Sequence, residues 1–188
     1  MLPSTLKSES ISTTLPEILV LNSFMKHADR VKMACIAQLV NVIAPIMTDE
    51  KGGAWKQTIF YPFLHASLYG RGVALEPFIE TSKHDTSNHT DVSDVEAIAT
   101  YNPEHEEVRI FAVNRNVDDD INFTADLRGF EGYKPVEYII MENDEMKAIN
   151  SLDMERVKPQ NKSEYSFDKG IFTTNMKKCS WNVIRFGK

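Results

Sequence analysis

The run Val31-Lys32-Met33-Ala34-Cys35-Ile36-Ala37-Gln38-Leu39 constrains this chain more than any other stretch, because it is apolar on both of its faces. A strand of that kind belongs in a parallel sheet with helices covering it on either side. Helical periodicity flanks it. Leu15, Ile18, Leu21, Phe24, Met25 and Ala28 recur at the spacing of one helix face. Thr14 followed by Glu17 reads as a capping box, with Pro16 in the first turn where its missing N–H is harmless. A second helix is expected to begin between Thr58 and Pro62, to pass through Phe63 and Tyr69, and to stop at Gly70 or Gly72. Residues 40–55, with Pro45 and Gly52-Gly53, read as irregular.

One helix–strand–helix unit cannot complete a sheet, since a parallel strand needs neighbours on both edges. Residues 1–71 are therefore expected to be the tail end of an α/β domain whose earlier elements lie elsewhere. From residue 72 the periodicity changes. Ile121, Phe123, Ala125 and Leu127 alternate onto one face, the mark of a half-buried strand. Further strands are expected over 73–80, 95–101, 107–114, 136–142, 171–176 and 181–186, with turn material between them. Short strands at this spacing predict an antiparallel sandwich or barrel over 72–188. Polar stretches at 81–94 and 143–169 read as long surface loops. The fold class is mainly β.

The net charge of −6 and the scattered lysines and arginines offer phosphates no basic stripe, so nucleic acid is not an expected partner. No run of apolar residues is long enough to cross a membrane as a helix. The first residues lack the apolar core of a secretory signal, so a cytoplasmic location is expected. Cys35 and Cys179 are too few for a disulfide framework, and Cys35 in its apolar run reads as a buried free thiol. His84, Asp85, His89, Asp91 and Asp94 have metal-binding atoms but match no metal spacing, and a solvated loop is the better reading. Asp118-Asp119-Asp120 reads as a hairpin connection instead of a calcium loop. No metal or cofactor is expected.

Several blocks resemble the C-terminal region of the glycoside hydrolase family 51 α-L-arabinofuranosidases. They are His27-Ala28-Asp29-Arg30-Val31, Ala37-Gln38-Leu39-Val40-Asn41-Val42-Ile43-Ala44-Pro45-Ile46, and Trp55-Lys56-Gln57-Thr58-Ile59-Phe60-Tyr61-Pro62-Phe63. Tyr69-Gly70-Arg71-Gly72-Val73-Ala74-Leu75, Ile110-Phe111-Ala112-Val113-Asn114-Arg115 and Ser180-Trp181-Asn182-Val183-Ile184-Arg185 follow in the family's order. The resemblance implies the last helix–strand–helix part of a (β/α)8 barrel, with residues 31–39 as its eighth strand, followed by a β-sandwich. It further implies a retaining mechanism with two glutamates about 5–5.5 Å apart. The resemblance places both upstream of Met1, so no catalytic residue is expected here. Glu17, Glu50, Glu76 and Glu80 do not fall at the C-terminal end of a barrel strand.

The resemblance implies an arabinose contact at Gln38, at the mouth end of the expected eighth strand, where an amide can both donate to and accept from a sugar hydroxyl. The alternative is that Gln38 only satisfies backbone groups at the strand end. Asn41 is a second substrate-binding candidate, set against shaping a turn. Trp55, Tyr61, Tyr69 and Trp181 could stack on sugar rings or pack in the core, and Trp55, in the loop, is the one favoured for substrate. His27 falls on the barrel face opposite the chemistry, and His65 sits in an apolar helix as a packed residue. Gly70-Arg71-Gly72 follows a helix instead of opening one, so it is not a phosphate loop. The expected function is the C-terminal fragment of an arabinofuranosidase, inactive alone, acting on arabinose-containing oligosaccharides through the intact enzyme, with homo-oligomers implied by the resemblance. The alternative is a non-catalytic sandwich for carbohydrate binding or subunit assembly.

Overall fold

The computed structural model describes residues 10–188; the reading made of the first residues as lacking a secretory signal lies outside them, Ser10 apart. Helix α1 (Ile11–Lys26) starts earlier than Thr14 and Glu17 predicted. Ser10 and Thr13 form the capping box instead, the Thr13 hydroxyl accepting from the Ser10 N–H at 2.8 Å. That frees Thr14 to turn inward, where it is fully buried and shares a 2.5 Å hydrogen bond with the Thr58 hydroxyl. Pro16 lies inside the helix and not in its first turn.

Residues 31–39 do not form the expected strand. Met33 and Leu39 are 83% and 85% exposed, and the Cys35 thiol is exposed as well. The physical reason is that a strand exists only through its ladder: among the described residues none pairs with this run, so its backbone takes an irregular path. Within the region read as irregular, β1 (Ile46–Thr48) and β2 (Ala54–Lys56) form a small antiparallel hairpin. Helix α2 (Phe60–Tyr69) ends on Gly70, the first of the two glycines at which its sequence allows a stop.

The β region follows, with β3 (Val73–Leu75), β4 (Lys83–His84), β5 (Val92–Ser93), β6 (Val95–Asn102) and β7 (Glu107–Asn114). Next come β8 (Ile121–Asp126), β9 (Lys134–Met141), β10 (Gln160–Asn161), β11 (Ser166–Asp168), β12 (Ile171–Met176) and β13 (Ser180–Gly187). A six-stranded antiparallel sheet has the order β10-β9-β13-β7-β6-β3, and a three-stranded one the order β11-β12-β8. β4 and β5 pair as a separate hairpin inside the stretch read as a loop. Gly72 opens β3 at φ 127°, and a Cβ there would stand 2.2 Å from the Tyr101 carbonyl oxygen. Only glycine fits that approach.

Asp118-Asp119-Asp120 is not a hairpin turn. β7 lies in the large sheet and β8 in the small one, so this acidic run is a crossover between sheets. Asp120 accepts from the Lys177 ammonium at 2.9 Å and from the Lys178 N–H at 3.0 Å, fixing the crossover to the end of β12.

Both faces of the large sheet are covered. On one face Val108, Ile110, Ala112, Tyr138, Ile184 and Phe186 meet Ala125, Leu127, Phe172 and Met176 of the small-sheet side. On the other, Phe111, Val113, Ile139, Trp181 and Val183 meet Ile11, Leu15 and Ile18 of α1 and Tyr61 of α2. β7 and β13 therefore read as almost continuous apolar runs despite being antiparallel. The helical part does dock on the sandwich, a question that periodicity alone leaves open.

Candidate functional site

The candidate substrate residues fall on the β1–β2 hairpin and the segment leading into it. Gln38 is exposed, with its amide on the irregular run that the sequence reads as a strand. Asn41 has a left-handed backbone, φ 62°, which asparagine tolerates better than most residues. Its Oδ1 accepts from the Thr48 N–H at 2.7 Å, its Nδ2 donates to the Thr48 hydroxyl at 2.8 Å, and its N–H donates to the Ile46 carbonyl at 2.8 Å. The amide of Asn41 thus shapes the turn that begins the hairpin.

Trp55 pairs with Met47 across the hairpin and is half-buried. Its indole N–H is buried without a hydrogen-bond partner. An unmet donor of this kind carries a penalty of about 1–3 kcal/mol. Asn41 and Trp55 are joined through Thr48, which pairs with Ala54 next to the indole. Gln38 precedes them on the exposed segment and shares no described bond with either.

The base of the hairpin is fixed from beneath. The fully buried Gln57 donates its Nε2–H to the Ala44 carbonyl at 2.7 Å and its N–H to the Pro45 carbonyl at 2.8 Å. The connection between β9 and β10 reaches the same hairpin. Asn150, 2% exposed, donates to the Lys56 carbonyl at 3.1 Å, and Leu152 packs against Gly53 at the tip. Sequence reasoning missed Asn150, because it lies in a polar stretch whose partners stand far away in the chain.

Tyr61, Tyr69 and Trp181 do not join Trp55 in a platform. Trp181 is fully buried and stacks on Phe111, with ring centroids 5.8 Å apart. Tyr61 is buried, and its hydroxyl donates to Glu155. Tyr69 lies under the Arg185 guanidinium, 4.5 Å from its ring centroid. Arg185 also pairs with Glu107 at 2.7 Å and with Glu137 at 2.6 Å, and Arg109 donates to Glu107 at 2.8 Å and to the Tyr69 carbonyl at 3.2 Å. Burial pushes the Glu107 carboxyl upward, but its bonds to Arg185 and Arg109 outweigh this and hold it below the usual range. These are anchoring carboxylates and not an acid/base pair. Glu76 pairs with Lys26 at 3.2 Å, while Glu50 and Glu80 are exposed.

His65 is buried and accepts from the Trp181 indole, which makes it a packed residue. His27 shares a 3.1 Å bond with Arg30 at the end of α1. Of the histidine–aspartate group, His84 and Asp94 meet at 2.5 Å, and Asp85 accepts from the Asp91 N–H at 3.0 Å; Ser82 donates to the other oxygen of the Asp94 carboxylate. The serine is bonded to the carboxylate and not to the imidazole, so the three do not form a serine–histidine–aspartate triad. Among the described residues no cluster of three or more metal-ligating side chains occurs. No helix of the described residues is long and apolar enough to cross a membrane.

A cavity of about 1180 Å³ opens between the sheets, walled by Ala97, Ala99, Val108 and Ile110 on one side, Phe123 on the other, and Phe78 at its rim. It is a mainly apolar gap beside β8, the edge of the small sheet; of the carboxylates on its lining, Asp126 pairs with Arg128 and Glu76 with Lys26.

Comparison with known proteins identifies the architecture. The family model for the α-L-arabinofuranosidase C-terminal domain matches residues 5–180. The chain is 56% identical over 171 residues to an intracellular exo-α-(1→5)-L-arabinofuranosidase of Acetivibrio thermocellus, covering 90% of the chain and 34% of that protein. It is 47% identical to a Bacillus subtilis protein of the same description, over 90% of the chain and 34% of the relative. A family 51 α-L-arabinofuranosidase from Bifidobacterium longum superposes with a TM-score of 0.90 at 33% identity, over 98% of this chain and 36% of that one. The chain thus spans about a third of the length of the relatives it matches. The match over residues 5–180 and the shared fold place the chain in the α-L-arabinofuranosidase C-terminal domain family of glycoside hydrolase family 51.

Proposed function

We propose that this chain serves as the C-terminal portion of a retaining glycosidase that removes α-L-arabinofuranosyl residues from arabinan- or arabinoxylan-type polysaccharides, and that it is inactive alone. The observation that carries this reading is the shape of the match: 90% of the chain aligns with relatives named for arabinofuranosidase activity, yet it covers only 34% of their length. Retaining hydrolysis needs two carboxyl groups about 5–5.5 Å apart across the scissile bond. Glu107 and Glu137 are instead joined through the same guanidinium.

In this reading residues 1–71 are the closing part of a (β/α)8 barrel and residues 72–188 buttress it. The exposure of Met33 and Leu39 supports it, since such side chains suit a strand that gains its neighbours from the rest of a barrel. Gln38, Asn41 and Trp55 then stand at the sugar-binding mouth. The unmet Trp55 indole N–H fits a polar partner there. The intact enzyme acts on arabinose-containing oligosaccharides in the cytoplasm as a homo-oligomer. Complementation tests this. The preceding two-thirds of the Acetivibrio thermocellus relative, co-expressed with this chain, should hydrolyse an aryl α-L-arabinofuranoside, with neither piece active alone. Full turnover by the preceding piece without this chain would overturn the reading.

A subunit-assembly role is the second reading, favoured by the exposed Phe78 at 89% and by Met33 and Leu39. Light scattering that returns a clean monomer would remove it.

A further inference from the structure

The connection between β9 and β10 crosses from the sandwich to the hairpin that carries Trp55. Its path is fixed by contacts at each step. The Met146 carbonyl accepts from the Ser12 N–H at 3.2 Å, and Ile149 forms an antiparallel bridge with Ser10. Ala148 and Val157 are fully buried in the core beneath α1. Ser151 and Met154 close a turn at the far end, the Ser151 N–H donating to the Met154 carbonyl at 2.9 Å.

Asn150 stands where this connection meets the hairpin. Its Oδ1 accepts from the Val157 N–H at 2.8 Å, and its Nδ2 donates to the Val157 carbonyl at 2.8 Å and to the Lys56 carbonyl at 3.1 Å. One buried amide therefore ties together both limbs of the connection and the backbone of β2 next to Trp55. Leu152 acts at the tip: a Cβ on Gly53 would lie 2.7 Å from Leu152 Cδ1, so the two are in close contact. The tip itself is closed by Asp49, whose Oδ1 accepts from the Gly53 N–H at 2.6 Å and from the Lys51 N–H at 2.9 Å.

We propose that the β9–β10 connection is a positioning element for substrate recognition, with Asn150 and Leu152 setting the placement of the Trp55 hairpin against the sugar. It rests on the reading of Trp55 as a substrate residue. The sandwich on this view is more than a passive buttress. It reaches past the helices to hold a loop at the mouth of the site, through residues that do not touch substrate. A hairpin of three residue pairs, β1 with β2, is too small to hold its own geometry. An external brace is what makes its side chains reproducible in position.

The test has one arm that does not depend on the glycosidase reading. In Asn150→Ala, hydrogen exchange of the amides over residues 46–56 should quicken about tenfold, while β6, β7 and β13 keep their protection. Asn150→Asp retains the acceptor for the Val157 N–H but loses the donors to both the Lys56 and the Val157 carbonyls, and should quicken residues 150–157 together with the hairpin. Leu152→Ala should quicken residues 49–53. The second arm uses the complemented enzyme. The same variants should raise KM for an arabino-oligosaccharide about tenfold with kcat changed less than about twofold, as expected when uniform binding is lost. Unchanged exchange over 46–56, or faster exchange with KM unmoved, would overturn the inference. An inactive complemented wild type would instead remove the glycosidase reading while leaving the exchange arm intact.

Discussion

The indole N–H of Trp181, in the centre of the large sheet, donates to Nδ1 of His65 in α2 at 3.1 Å. Both side chains are buried, so this is a bond between the helical part and the sandwich made out of reach of water. Because Nδ1 accepts, the ring proton sits on Nε2 and the imidazole is neutral.

Burial pulls the His65 imidazole down to about 4, with the Glu137 charge opposing the shift in part. An unfolded histidine titrates near 6.5. The unfolded chain therefore binds the proton first as pH falls. The associated stability is complete above about pH 6.5, declines as pH falls toward the folded value of about 4, and is then exhausted. The full swing is roughly 3 kcal/mol. Urea denaturation at pH 7 and pH 5 should show the wild type losing about half of it. His65→Asn, which keeps an acceptor but cannot titrate, should flatten that dependence.

Arg185 joins Glu107, Glu137 and the Tyr69 ring on the same side of the sheet. Its replacement leaves two partly buried carboxylates short of their cation. Arg185→Met should destabilise the chain by about 2–4 kcal/mol. A double-mutant cycle with Tyr69→Leu should give a coupling of about 0.5–2 kcal/mol from the cation–ring contact. Additive effects would remove that contact from the docking.

Gly72→Ala forces a Cβ against the Tyr101 carbonyl at a left-handed backbone angle. Thermal unfolding should show a loss of about 2–4 kcal/mol and loosened pairing of β3 with β6. Gly129→Ala meets nothing within 4 Å and should fall within about 0.5 kcal/mol of wild type.

The two thiols differ sharply in access. Cys35 is exposed, while Cys179 is buried and its thiol is pushed upward by that burial. A thiol reagent should label Cys35 in seconds to minutes and Cys179 only on unfolding. Rapid labelling of both would contradict the packing of Cys179 against Met146.

Periodicity located β7 and β12 at their observed bounds and α2 to its terminal glycine, because those elements close on partners inside the chain. Residues 31–39 failed for the converse reason. Their apolar pattern states a capacity for a strand, but a ladder needs an adjacent edge. At the start of α1 the pattern pointed to Thr14 and Glu17, but tertiary packing draws Thr14 inward to Thr58 and the capping box falls to Ser10 and Thr13. Trp55 and Asn41 stood out as residue types in a loop. Asn150 did not, since its meaning depends on Lys56, 94 residues away. Charge pairs such as Glu107 with Arg185 were equally invisible until the register of β7 and β13 set them on a diagonal, with Arg185 opposite Arg109 and Glu107 opposite Gly187.

The most direct measurement of the whole account is hydrolysis of an aryl α-L-arabinofuranoside by the purified 188-residue chain. No turnover above buffer is expected across the pH range in which the chain stays folded. Turnover that survives repeated purification from a host lacking its own arabinofuranosidase, and that scales with this chain's concentration, would contradict it.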